Sequence, residues 1–255
     1  MNELIEGNLQ SIREFELMRA KECFPVLAAG RGRLLELGAG NGYQARMLEA
    51  AGFDVTAVDM ADSYYHSRRV FPIIDYDGKH IPQDTASVDI VFSSNLLEHV
   101  GDIDDFLDEI ARVMTKTGYA IHVLPTPAWR FWTSFFHYFW LVKRVRDLVL
   151  VRSRGSVAED HAPRAPRSFA DLLKILFPFR HGERGNVFSE TFYFSRRWWL
   201  RKFSEHGYDV VLDYPVGIFY SGAIVLGGGL SIRARQRLAR FLGSSSRLYV
   251  LKRSV

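Results

Sequence analysis

Between residues 33 and 127, short apolar runs alternate with longer amphipathic ones, and no other feature limits the fold of this chain as strongly. RLLEL (33–37), FDVTAVD (53–59), part of FPIIDYD (71–77), SVDIVFSSN (87–95) and GYAIHVLPTP (118–127) read as strands. QARMLEAAG (44–52), MADSYYHSRRV (60–70) and IDDFLDEIARVM (103–114) read as helices, the last with Asp102 as its N-cap. Strands alternating with helices build a parallel sheet covered on both faces, a doubly wound α/β arrangement. Ahead of it, residues 8–29 read as an amphipathic helix with Leu9, Ile12, Phe15, Leu17 and Met18 on its apolar side, stopped by Gly30 and Gly32.

The rhythm breaks after Pro127. Residues 128–190 are aromatic, basic and dotted with proline, and the stretch 152–167 is expected to be disordered. A helix over 195–207, a strand over 208–216, a helix over Ser231–Leu242 and a last strand over 247–253 complete the reading. With 255 residues, 47% hydrophobic and 24% charged, the chain suits one domain with a full core, and residues 126–190 read as an insertion. Its single cysteine, Cys23, excludes a disulfide framework and a cysteine-based zinc site. MNELIEGNLQ lacks the basic start and apolar run of a secretory signal, so the cytoplasm is the expected compartment.

The first strand runs into glycines at 38, 40 and 42, and a helix follows. Bare backbone there lets a ligand approach closely, and ligands of open parallel sheets lie beyond the carboxyl ends of the strands. A dinucleotide fingerprint requires G-x-G-x-x-G, and Tyr43 stands where its last glycine belongs. Glu36, two residues before the loop, suits a cationic ligand better than a diphosphate.

Glu36-Leu37-Gly38-Ala39-Gly40-Asn41-Gly42 resembles the first motif of the class I S-adenosylmethionine-dependent methyltransferases, in the small-molecule, type 11-like group. The likeness continues in order. Asp59 ends the second strand 21 residues after Gly38, where a carboxylate can accept ribose hydroxyls. Asp77 stands where such families keep the acid that meets the adenine amine, and SVDIVFSSNLLEHV (87–100) looks like their fourth-strand motif. The resemblance spans roughly residues 30–125 and the last two strands. It implies a Rossmann-like, mostly parallel seven-stranded sheet with an antiparallel last strand, a substrate cap over 126–190, and S-adenosylmethionine as cofactor. It further implies that Glu36, Gly38, Ala39, Gly40, Gly42, Asp59, Met60, Tyr76 and Asp77 bind the cofactor, with Ser94 and Asn95 on its methionine side.

Methyl transfer to a hydroxyl needs a base. His99, after the fourth strand, and His181 and Glu183, in RHGERGN (180–186), are the candidate catalytic groups; His122, inside an apolar strand, reads as buried. Asn95, Glu98 and His99 form an incomplete ligand set, and no metal is expected. An oxygen of a small-molecule, glycan or lipid-linked acceptor is the preferred target. AWRFWTSFFHYFW (128–140) carries eight aromatic side chains, and eight Lys or Arg against three Asp or Glu lie between Ala128 and Arg167. At helical spacing Trp132, Phe135, Phe136, Phe139 and Val142 form one stripe, followed by Lys143, Arg144 and Arg146, which suits a lid or a peripheral contact with the inner face of the membrane. A net charge of +4 is too small to argue for nucleic acid. Two rivals remain: a catalytically silent scaffold that binds a partner or membrane through the aromatic insertion, and an NAD-dependent oxidoreductase.

Overall fold

The computed structural model describes residues 3–24, 32–154, 176–220 and 229–254. Seven strands form one sheet: β1 (Arg33–Leu37), β2 (Asp54–Met60), β3 (Ile74–Tyr76), β4 (Val88–Ser94), β5 (Met114–Pro125), β6 (Tyr208–Pro215) and β7 (Ser246–Arg253). Their order is β3-β2-β1-β4-β5-β7-β6. The first five run parallel, and β7 lies antiparallel between β5 and β6. The chain moves outward from β1 to β3, then returns to place β4 on the other side of β1. Strand order therefore reverses between β1 and β4, the position where such sheets open a crevice at their carboxyl ends.

Period-two alternation divides the buried side chains between two faces. Leu35, Leu37, Val91, Ala120 and Leu124 join one core with α3 (Ile103–Val113) and the later helix Arg196–Glu205, through Leu107, Ile110, Trp199 and Phe203. Leu34, Ile90, Phe92, Ile121 and Val123 join the other with α1 (Glu3–Lys21) and α2 (Tyr43–Ala50), through Ile12, Phe15, Leu17 and Leu48. Glu36 shares Leu34's face, and His122 shares Leu124's.

Helix α1 ends at Lys21 rather than at 29, and residues 25–31 lie outside the described ones. Proline at 25 disfavours helical backbone at Phe24. The Phe24 ring instead packs edge-on against Phe53 and Phe92, at 5.5 and 5.9 Å between centroids. Met18, expected on the apolar side, is exposed, and Glu16 is fully buried. The helix expected over 60–70 is reduced to one 3-10 turn, His66–Arg68. Local side-chain bonds compete with it: Ser63 Oγ donates to Asp59 Oδ2 at 3.0 Å and accepts from the Tyr65 N–H at 3.4 Å. Strand β5 starts at Met114 instead of 118, through an irregular register beside Val88 and Ile90.

Helix α4 (Pro127–Arg154) carries the aromatic segment. Pro127 suits its first position, and the Thr126 hydroxyl accepts from the Trp129 N–H at 3.2 Å. The expected single stripe divides in two. Trp132 is half-buried, donating from Nε1 to the Leu242 carbonyl at 2.9 Å, whereas Phe131, Phe135, Tyr138, Phe139 and Val142 are exposed. The part of 152–167 beyond Arg154 lies outside the described residues. After it come α5 (Glu190–Tyr193), α6 (Arg196–Glu205) and α7 (Ile232–Leu242). No helix among the described residues is long and apolar enough to cross a membrane.

Candidate active site

The site begins where β1 meets its loop. The N–H groups of Gly38 and Ala39 both donate to the Val58 carbonyl, at 3.0 and 3.1 Å, which ties the loop to β2. Gly38 (φ 68°) and Gly42 (φ 80°) have left-handed backbone, and a Cβ on either would stand 2.7 Å from Leu96 Cδ1 or 2.6 Å from Phe71 Cβ. These glycines therefore hold the loop close to its neighbours at the mouth of α2, where the Tyr43 N–H donates to Asn41 Oδ1 at 3.1 Å. Asp59, at the end of β2, closes the arrangement. Its Oδ2 accepts from the Gly40 N–H at 2.8 Å and from Ser63 Oγ at 3.0 Å, and its Oδ1 accepts from the Met60 N–H at 2.8 Å. Three of roughly four acceptor positions on that carboxylate are used within the chain.

Glu36 lies under the loop, 2% exposed, with Oε2 lacking a hydrogen-bond partner. Burial, reinforced by the charge of Asp59, pushes its carboxyl up to about 8, against one backbone bond from Ala45. A carboxyl that retains its proton at neutral pH offers less to a cation than the sequence suggested. Burial also pushes the Tyr76 phenol up to about 12, with Asp59 and Asp77 adding to it, so Tyr76 stands within the field of both acids. Asp77 is exposed. Its oxygens accept from the backbone N–H groups of Lys79 and His80 at 2.8 and 2.7 Å and pair with His80 Nδ1 at 2.6 Å. The His80 ring holds this carboxyl well below the usual range. Met60, also exposed, lies beside Gly78, so the tips of β2 and β3 make one edge.

On the other side of the crevice, Asn95 ends β4 in left-handed backbone (φ 54°). Its amide donates to Ser94 Oγ at 3.2 Å and to Glu16 Oε2 at 3.4 Å, and its carbonyl accepts from the Tyr220 hydroxyl at 3.4 Å. Glu16 is paired with Arg13 at 2.5 Å. Sequence reading missed Glu16, Arg13 and Tyr220; an acid at 16, four residues after Ile12, was the available signal.

The next turn, Leu97–His99, leans on the glycine loop through Leu96. Here the fold adds a partner from far along the chain. The His181 ring meets His99 edge-on at 4.6 Å between centroids, and Nε2 of each imidazole lies 3.8 Å from Glu98 Oε1. Partial burial lowers the His99 imidazole below its ordinary value, against the pull of Glu98. The loop that carries His181 is fixed from below: the N–H groups of His181 and Gly182 both donate to Glu190 Oε1 at 2.6 Å, and Glu190 pairs with the buried Arg130 of α4 at 3.2 Å. Glu183 does not converge with them, because its carboxylate is held by Arg180 at 3.0 Å. His122 is buried as expected, bonded to Ser93 Oγ at 2.8 Å and lowered to about 3 by desolvation.

Residues 35–122 match the family described as methyltransferase domain. Over this segment the chain is of the class I S-adenosylmethionine-dependent methyltransferase type. A probable S-adenosylmethionine-dependent methyltransferase of Mycobacterium tuberculosis is 33% identical over 89 residues, 33% of this chain and 32% of that protein. The biotin biosynthesis bifunctional protein of Cellvibrio japonicus is 32% identical over 95 residues, 35% of this chain and 19% of that protein. This chain thus spans less than a third of either relative. The S-adenosylmethionine-dependent methyltransferase of Mesorhizobium loti has the same fold, with a TM-score of 0.56 at 16% identity over 94% of this chain and 98% of that one. The methyltransferase segment at 35–122 takes in the glycine loop, Asp59, Tyr76, Asp77, Ser94, Asn95 and His99, and leaves His181 and Glu183 outside.

Proposed function

We propose that this chain transfers the methyl group of S-adenosylmethionine to an oxygen of a small-molecule, glycan or lipid-linked acceptor. The observation that carries the reading is the shared crevice: the glycine loop and Asp59 form one wall, and the turn with His99 and His181 forms the other, in contact through Gly38 and Leu96. Gly38, Ala39, Gly40 and Gly42 would supply bare backbone, and Asp59 a ribose contact, with Ser63 free to exchange its bond to that carboxylate. Met60, Tyr76 and Asp77 would border the adenine, and Ser94 and Asn95 the methionine end. The cofactor, when bound, supplies an electrophilic methyl group, so alignment of the acceptor is the main task of the protein. His99, whose imidazole desolvation lowers, is placed to accept a hydroxyl proton, with the edge-on His181 ring beside it. Residues 126–190 would act as the acceptor cap.

Calorimetric titration with S-adenosylmethionine tests the reading. The parent should bind, and Asp59→Ala should lose about 1.5–3 kcal/mol, roughly a 10- to 150-fold weaker affinity. A parent that does not bind would overturn methyl transfer and favour the silent scaffold.

The exposed Phe131, Phe135, Phe139 and Val142 on α4 support peripheral contact with an anionic membrane, which suits a lipid-linked acceptor. Sedimentation with anionic and neutral vesicles tests it; equal recovery with both, unchanged by Phe135→Ser, would remove it.

A further inference from the structure

Glu98 is 1% exposed, and neither of its carboxylate oxygens has a hydrogen-bond partner. Burying such a group without a partner is costly. The nearby arginines do not hydrogen-bond to it. Arg184 donates to the Leu97 and Val100 carbonyls at 2.7 and 2.6 Å, and Arg13 pairs with Glu16. What does face Glu98 is a pair of imidazoles. The ligand atoms of Glu98, His99 and His181 all lie within 4.8 Å of one another.

We propose that Glu98, His99 and His181 bind one divalent transition-metal ion of the zinc class, leaving a position open to an acceptor oxygen. Two nitrogens and one carboxylate oxygen suit such an ion better than magnesium or calcium, which prefer all-oxygen sets. Metal–ligand bonds of about 2.0–2.2 Å place tetrahedral donors roughly 3.3–3.6 Å apart. The two 3.8 Å separations from Glu98 Oε1 need to close by about 0.2–0.5 Å to meet this, and the two imidazole nitrogens, within 4.8 Å of each other, by up to about 1.5 Å. Supporting groups are in place. Glu190 holds the backbone of His181, the Trp129 ring packs 4.5 Å from the His181 ring, and the Glu183 N–H donates to the Glu98 carbonyl at 2.9 Å. A Cβ on Gly182 would stand 2.8 Å from that same carbonyl, so glycine lets the two segments meet.

An ion here would change the role of His99. As a ligand it could not also take the proton, and an acceptor hydroxyl bound to the ion would need a weaker base because its own pKa falls. Binding itself does not rest on the methyltransferase reading, because it is measured without S-adenosylmethionine; its failure would leave His99 as the base.

The test uses the full chain, stripped with chelator and dialysed. Zinc is titrated calorimetrically, and cobalt is followed by its visible absorption. The parent should take up one equivalent. His99→Ala, His181→Ala and Glu98→Gln should each weaken binding by at least roughly 10- to 100-fold, the loss found even for outer-shell partners. His206→Ala, which removes a separate imidazole paired with Asp104 and Asp108, should leave binding unchanged. Circular dichroism and cooperative melting identify the variants that fold; the three substitutions fall on two separate segments, so the test does not depend on any one of them. Absence of uptake by the parent, uptake that survives in the folded variants, or uptake lost instead with His206 would overturn the site.

Discussion

The two walls of the crevice are held together over very different distances along the chain. On the side of the glycine loop, Gly40 meets Asp59 across 19 residues, and Asp77 is occupied by Lys79 and His80, two and three residues on. On the side of His181, Arg184 meets Val100 and Leu97 across 84 and 87 residues, and Arg130 meets Phe179 across 49. The first wall is built by local turn chemistry at strand ends. The second exists only once α4 and the 181–190 segment have folded back on the β4 turn. A motif records the first kind of wall, and this is the part that the 35–122 match covers.

The contrast can be tested by breaking each wall alone. The largest effect is expected from Arg130→Leu, which leaves Glu190 without its buried partner; urea unfolding should show a loss of about 3–5 kcal/mol. S-adenosylmethionine affinity of the folded protein should change less than tenfold, and a larger fall would mean that the walls are coupled. Next is Glu36. Its carboxyl, raised from 4.5 to about 8, keeps a proton that the unfolded chain has released. The stability that Glu36 contributes should therefore be fully present below pH 4.5, fall as pH rises towards 8 by up to about 1.4 kcal/mol for each unit, and level off above. Glu36→Gln should flatten this fall, and equal slopes in parent and variant would remove the assignment.

Gly42→Ala should cost about 1–3 kcal/mol of stability, from left-handed backbone and the contact with Phe71. It should also weaken S-adenosylmethionine while leaving zinc uptake intact; loss of both ligands would show that the loop supports both walls. Smallest is Phe139→Ser, on the exposed side of α4, expected within about 0.5 kcal/mol of the parent in thermal unfolding. A larger loss would mean that this ring is covered in solution.

Most of the sheet was legible from the sequence, because strands buried on both faces write near-continuous apolar runs: β1 and β4 were read within a residue of their ends. The segment at 60–70 was misread because helical propensity there is outweighed by Ser63 and Asp59, whose side chains bond to nearby groups. The aromatic run was read as a helix, but periodicity could not tell which edge of it would turn inward. That choice follows from Trp132 reaching the Leu242 carbonyl, 110 residues away.

The sequence by itself determined the order of strands and helices, the glycine loop and the acid at the end of β2. Each depends on backbone sterics or on side chains that repeat with the period of one element. Only the tertiary structure decided that Glu16 would be buried beside Asn95, that Glu183 would turn to Arg180, and that His181 would face His99 across the unpartnered carboxylate of Glu98. Those outcomes depend on contacts between distant segments, set by how helices close over the end of the sheet, and no local pattern encodes them.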